Sequence, residues 1–84
     1  MAPISVVIIA KNEAANIADC IMSAGLISDD IIVADSGSTD GTPQLAVQAG
    51  ARLLQTDWKG YGQTRNEAAA IAKLDWILAL DADE

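Results

Sequence analysis

The chain has 84 residues, with 12 acidic against 5 basic side chains for a formal charge of −7, and it is 51% hydrophobic but only 4% aromatic. That length allows one small domain, which buries only about 60% of its unfolded surface, and the apolar content is that of a globular chain, not a disordered one. The acidity argues against general nucleic-acid binding, which needs a basic footprint, and no apolar run approaches the roughly 18–20 residues of a membrane span.

Other exclusions follow from single residues. Met1-Ala-Pro-Ile-Ser has no basic n-region, so no secretory signal is expected. The single cysteine, Cys20, has no partner for an internal disulfide and reads as a small core residue. Together these point to a reducing cytoplasm. With Phe absent, the core must rest on Ile, Leu, Val and Ala.

The first strand is expected over residues 4–10, where Ile, Val, Val, Ile and Ile run almost unbroken. A helix follows, with Ala14, Ile17, Ile21 and Ala24 at helical spacing and Gly25 as its stop. The second strand covers 31–34, with a start one residue earlier. Thr42-Pro43 reads as an N-cap followed by proline at the first helical position, and Gly50 closes that helix. A weak third strand covers 51–54. Residues 63–73 form an Ala-rich helix with Ala68, Ile71 and Ala72 on one stripe and Lys73 at the negative end of the dipole. The fourth strand covers 76–80.

Continuous apolar strands belong to a sheet covered on both faces. The order βαβαβαβ implies an α/β fold of parallel strands joined by right-handed crossovers. The spacing fits half of a doubly wound parallel sheet with strand order 3-2-1-4. Its topological switch lies between strands one and four, and ligands sit outside the strand carboxyl ends at such a point.

The charges sort accordingly. Lys11 and Glu13 follow strand one, Asp35 and Asp40 strand two, Asp57, Lys59 and Arg65 strand three, and Asp81, Asp83 and Glu84 strand four. Asp29, Asp30, Arg52 and Asp75 hold the opposite edge. Residues two apart on a strand share a face, so Asp81 and Asp83 converge if the extended backbone persists. Two hard oxygen ligands there would seat a divalent cation also held by substrate phosphates. An isolated Asp-x-Asp is more often an acidic turn; the sorted edge is what favours the metal.

The loop Asp35-Ser-Gly-Ser-Thr-Asp40-Gly-Thr has two readings of equal weight. Its glycines and hydroxyls suffice for a tight turn that caps the next helix, or Asp35 accepts an N–H from a nucleobase. Arg65 is expected in the first turn of its helix, where a cation needs an anion to answer it. A diphosphate would do so; an ion pair with Asp57 or Glu67 is the plainer alternative. Several chemistries are missing. There is no G-x-x-x-x-G-K-[ST], no glycine in the first turn for a dinucleotide fingerprint, and no histidine for a Ser/His/Asp triad or a Cys/His zinc site.

Four segments in order resemble one family. Ser5-Val-Val-Ile-Ile-Ala-Lys-Asn-Glu13, Val33-Ala-Asp-Ser-Gly-Ser-Thr-Asp-Gly-Thr42, Gly62-Gln-Thr-Arg-Asn66 and Leu80-Asp-Ala-Asp83 look like the family-two glycosyltransferases of GT-A fold. The second loop and Asp57-Trp-Lys-Gly-Tyr-Gly62 are similar to the lipopolysaccharide core β-glucosyltransferase branch. The resemblance implies inverting transfer from a nucleotide-diphosphate sugar, UDP-glucose-like, with Mg²⁺ or Mn²⁺. By motif, Ala10, Lys11 and Glu13 would line the nucleoside pocket, Asp35 would meet the base, and Arg65 would touch base or phosphate. Asp83 would hold the metal, with Asp81 near the ribose or assisting at the metal. In the family the general base and acceptor site lie downstream of Asp-x-Asp. Residues 1–84 therefore look like the N-terminal donor-binding half of a longer enzyme, with no assignable catalytic base. An exposed edge at 76–80 would then favour self-association. The competing readings are a free-standing nucleotide-binding module and a receiver-like signalling domain. The latter needs a lysine late in the chain, and none follows Lys73.

Overall fold

The computed structural model describes residues 4–56, 61–72 and 76–81. In chain order it forms β1 (Ile4–Ala10), α1 (Ile17–Ala24), β2 (Asp30–Asp35), α2 (Thr42–Gln48), β3 (Arg52–Gln55), α3 (Tyr61–Ala70) and β4 (Trp76–Asp81). The strands make one sheet in the order β3-β2-β1-β4, and each neighbouring pair is parallel. The expected half of a doubly wound sheet is thus present, with its switch between β1 and β4.

The chain steps outward from β1 to β2 to β3, then returns past β1 to β4. Because parallel crossovers keep one hand, reversing the direction of travel moves the covering helix to the other face. The core divides accordingly. On one face Val6, Ile8 and Val33 pack with Ile17 and Ile21 of α1 and Ala46 of α2. On the other, Val7, Ile9, Ile32 and Ala34 pack under Ala68 of α3. β1 lies between β2 and β4 and is buried on both faces, as its unbroken apolar run requires.

Helix ends differ from the sequence reading in informative ways. Gly50 (φ 98°) follows α2 as a left-handed stop. The N–H of Ala51 bonds the carbonyl of Ala46 at 3.1 Å and that of Gly50 bonds Val47 at 3.0 Å, a Schellman closure. Gly25 stays right-handed (φ −62°), so α1 unwinds through further turns instead of stopping at a left-handed residue. Gly41, not Thr42, is the N-cap of α2, and it has no side-chain cap bond. Thr42 belongs to the helix, where its N–H donates to Asp40 Oδ1 at 3.0 Å.

α3 begins at Tyr61, two residues before the expected start, so Arg65 stands in the second turn instead of the first. Its buried positions are Thr64 and Ala68; past the helix end Ala72 packs against the same cluster, whereas Ile71 is exposed. An alanine-rich helix offers little apolar contrast, so its buried face depends on the sheet beneath it. Lys73 falls outside the described residues.

The edge of the sheet where the strands begin is closed by polar pairing. Arg52 donates to Asp30 Oδ1 from Nε (3.1 Å) and Nη2 (2.8 Å), and its Nη2 also reaches the carbonyl of Ile71 at 2.7 Å. Ser5 Oγ donates to Asp30 Oδ2 at 2.6 Å. One guanidinium thus joins β2, β3 and the end of α3.

Candidate functional site at the carboxyl edge

Three strands end at nearly one level. Ala10 on β1 pairs with Asp35 on β2, and Ile9 pairs with Asp81 on β4. Two inter-strand steps separate Asp35 from Asp81, so their backbones stand roughly 10 Å apart across the end of β1. The topological switch point is the β1–β4 half of that span.

The loops after β1 and β2 are stitched together. Asn12 adopts φ 55°, a left-handed conformation that asparagine tolerates better than most residues. Its N–H donates to Ser38 Oγ at 2.8 Å, and its side-chain carbonyl accepts the N–H of Thr39 at 2.8 Å. The N–H of Glu13 donates to Thr42 Oγ1 at 2.9 Å, and that of Ala14 to Asp40 Oδ2 at 3.2 Å. Backbone donors of the segment leading into α1 are thus satisfied by the loop before α2 and by the first residue of that helix. Ser36 closes the same seam by donating its N–H to the carbonyl of Ala10 at 3.1 Å.

Asp40 is the exposed charge at this junction. Its carboxyl is held below the usual carboxylate range, chiefly by the hydroxyl and N–H of Thr42, with the N–H of Ala14 adding to the effect and desolvation opposing it.

Ala10, Glu13 and Asp35 gather in this stitched cluster, with Lys11 exposed at its tip. Asp35 is nearly sealed, at 2% exposure, and both its oxygens accept from Ser38. Glu13 is half-buried; its Oε2 accepts from Asn16 Nδ2 at 3.1 Å, and its carbonyl accepts the N–H groups of Asn16 and Ile17. Arg65 lies elsewhere. It lines a cleft of about 400 Å³ with Asn66, Ala69, Ile77 and Ala79, on the α3 face beside β4. Asp81 ends β4, and Asp83 lies outside the described residues. Asp57 and Lys59 are also outside them.

Among the described residues there is no group of three or more His, Cys, Asp or Glu arranged to hold a metal. Asp-x-Asp with diphosphate oxygens does fit a hard cation by donor type. Among the described residues no helix is long and apolar enough to cross a membrane.

The sequence reading did not single out Asn12, Ser38, Thr39 or Thr42 as a set. Their signal was present as a hydroxyl-rich loop and an asparagine at a strand-to-helix turn. Only the fold shows that these segments, some 26 residues apart, face each other.

An uncharacterised glycosyltransferase from Rickettsia felis is 48% identical over all of this chain, which covers 30% of that protein. The lipopolysaccharide core biosynthesis glycosyltransferase LpsC of Rhizobium meliloti is 37% identical over 98% of this chain and 32% of its own length. The crystal structure of glucosyl-3-phosphoglycerate synthase from Mycobacterium tuberculosis, in complex with Mn²⁺, UDP and glucosyl-3-phosphoglycerate, superposes with a TM-score of 0.81. It is 33% identical, and the match covers 96% of this chain and 33% of that one. The chain therefore spans about a third of the length of each of these proteins. Residues 5–84 match the model of glycosyl transferase family 2, and the chain belongs to that family.

Proposed function

We infer that residues 1–84 are the N-terminal donor-binding part of a longer inverting glycosyltransferase using a UDP-hexose and Mg²⁺ or Mn²⁺. The observation that carries this is the family match, read together with the level ends of β1, β2 and β4 at the switch point. The complexes of the mycobacterial synthase, which contain UDP with Mn²⁺ and with Mg²⁺, support the choice of donor and metal. LpsC supports a cell-envelope or lipopolysaccharide-core acceptor and thus a cytoplasmic enzyme working near the inner membrane.

In this reading Ala10, Lys11 and Glu13 border the nucleoside, and Asp35 accepts the N–H of the base. Asp81 lies toward the ribose, Asp83 holds the metal with help from Asp81, and Arg65 supplies positive charge on the α3 side. The metal, when bound, would stabilise charge on the departing diphosphate. The general base that must reach the acceptor hydroxyl belongs to the remainder of the longer enzyme. The β4 edge completes the picture. Ile77 and Leu78 are 38% and 37% exposed, and an open strand edge is a template for pairing, so the 84-residue chain self-associates through 76–80.

Titration calorimetry of the 84-residue chain with UDP, with Mn²⁺ or with chelator, tests the reading. Binding is expected in the high-micromolar to millimolar range, about −4 to −6 kcal/mol, and Asp83→Ala should remove the metal dependence. Equal affinity in chelator would refute the metal assignment, and no affinity under any condition would refute the donor site.

A further inference from the structure

Asp35 is held by a relay that begins on the other loop. The N–H of Asn12 donates to Ser38 Oγ at 2.8 Å, and the Ser38 hydroxyl donates to Asp35 Oδ1. The N–H of Ser38 takes the second oxygen, Asp35 Oδ2, at 3.1 Å. Ser38 is itself fixed from both sides. Gly37 before it is left-handed at φ 97°, and Thr39 after it is anchored by its N–H to Asn12 Oδ1 at 2.8 Å.

A hydroxyl that accepts on one side is polarised to donate on the other, and a hydrogen bond to a carboxylate is charge-assisted. An ionised carboxylate offers about four acceptor positions. Ser38 occupies one on each oxygen, which fixes the carboxylate plane and the directions of the positions that remain. Its two donors come from a residue three positions along, so the plane depends on the loop conformation that Asn12 maintains.

The geometry points to Ser38 and Asn12 as positioning residues for nucleobase choice: the Asn12–Ser38–Asp35 relay orients the Asp35 carboxylate so that it selects a base presenting an N–H at its reading edge. This rests on the donor-site reading above. Uracil carries such a donor at N3, whereas cytosine carries an acceptor there and faces the carboxylate lone pairs. Neither Ser38 nor Asn12 touches the nucleotide in this assignment. A clasp that merely holds the loops together would act differently. Weakening it would lower affinity for both nucleotides equally and leave the preference intact.

The test is titration of the 84-residue chain with UDP and with CDP, followed by ¹H–¹⁵N spectra that report folding in the same sample. The wild type should prefer UDP, and Asp35→Ala should abolish the preference. Ser38→Ala should reduce the UDP/CDP ratio about tenfold, the effect of losing one charge-assisted hydrogen bond, while Ser38→Thr keeps the hydroxyl and the ratio. Asn12→Gly retains the left-handed backbone and its N–H but loses the Thr39 anchor, and should give a partial loss; Asn12→Asp keeps an acceptor oxygen and should rescue it. An equal fall for both nucleotides in Ser38→Ala overturns the relay, as does tighter UDP binding, which would make the hydroxyl a competitor of the base. If Ser38→Ala does not fold, an unchanged ratio in Asn12→Gly overturns the relay, and a reduced ratio with Ser38→Thr unaffected upholds it. A wild type without preference, or an Asp35→Ala variant that retains it, refutes the role of Asp35 and the relay with it. Loss in Asp35→Ala without loss in Ser38→Ala refutes the relay alone.

Discussion

Replacing Arg52 by methionine isolates the contribution of the edge opposite the site. The substitution keeps much of the side-chain length and removes three hydrogen bonds, two to Asp30 Oδ1 and one to the carbonyl of Ile71. Breaking a fully buried ion pair costs about 3–5 kcal/mol, because the remaining charge is stranded. Here the two sides differ: the Asp30 side chain is 8% exposed and that of Arg52 35%. Water already reaches the guanidinium, and Ser5 still donates to Asp30 after the change, so the electrostatic loss is cut to about half that range. The lost bond to Ile71 adds about 0.5–1 kcal/mol. The expected total is about 2–3 kcal/mol, a large share of the roughly 4–13 kcal/mol that 84 residues supply. In a urea titration followed by far-ultraviolet circular dichroism, with a slope of about 1 kcal/mol/M, the midpoint should fall by at least ~2 M. Arg52→Lys should recover part of the loss, since an ammonium keeps the charge but not the fork. A loss below about 0.5 kcal/mol, the usual limit for a surface substitution, would show that the pair is an ordinary solvated contact and that β2, β3 and α3 are not joined through it.

Two further outcomes follow from single groups. Thr64 is fully buried in α3 and its hydroxyl has no hydrogen-bond partner among the described residues, so Thr64→Val should leave stability unchanged or raise it by about 1 kcal/mol; a clear loss by urea titration would mean that the hydroxyl is satisfied. The carboxyl of Asp40 has a lowered pKa in the fold, so its stabilising contribution is complete above the unfolded value near ~3.9 and disappears as pH falls through the folded value. Asp40→Asn should therefore flatten the acid limb of stability below about pH 4, and an unchanged limb in pH-jump unfolding would exclude Asp40 as its source.

The strands were legible because their apolar runs are continuous and their separators carry proline, glycine or hydroxyl residues. Their ends were less so. β2 runs from Asp30 to Asp35 because the backbones of both residues are in register with β1, Asp30 with Ser5 and Asp35 with Ala10, whereas a hydrophobicity criterion trims charged residues from a strand. β3 is displaced by one residue, to Arg52–Gln55, because the Schellman closure uses Ala51. The inward face of α3 was misread at Ile71 for want of contrast among alanines. In the site, the family motifs marked Glu13 and Asp35, but the bonds from Asn12 to Ser38 and Thr39 depend on a left-handed φ and a partner some 26 residues away. Neither is written in local composition.

The two edges of the sheet solve opposite electrostatic problems, which bears on why function sits at one of them. Where the strands begin, cation and carboxylate satisfy each other across three elements. Where they end, the partners of Asp35 and Asp40 are hydroxyls and backbone N–H groups. Neutral donors can fix the geometry of a carboxylate without cancelling its charge, so it can still answer a donor or a metal that arrives later. Among the described residues the only ion pair is the one between Arg52 and Asp30, at the edge where none of the proposed ligand contacts lies.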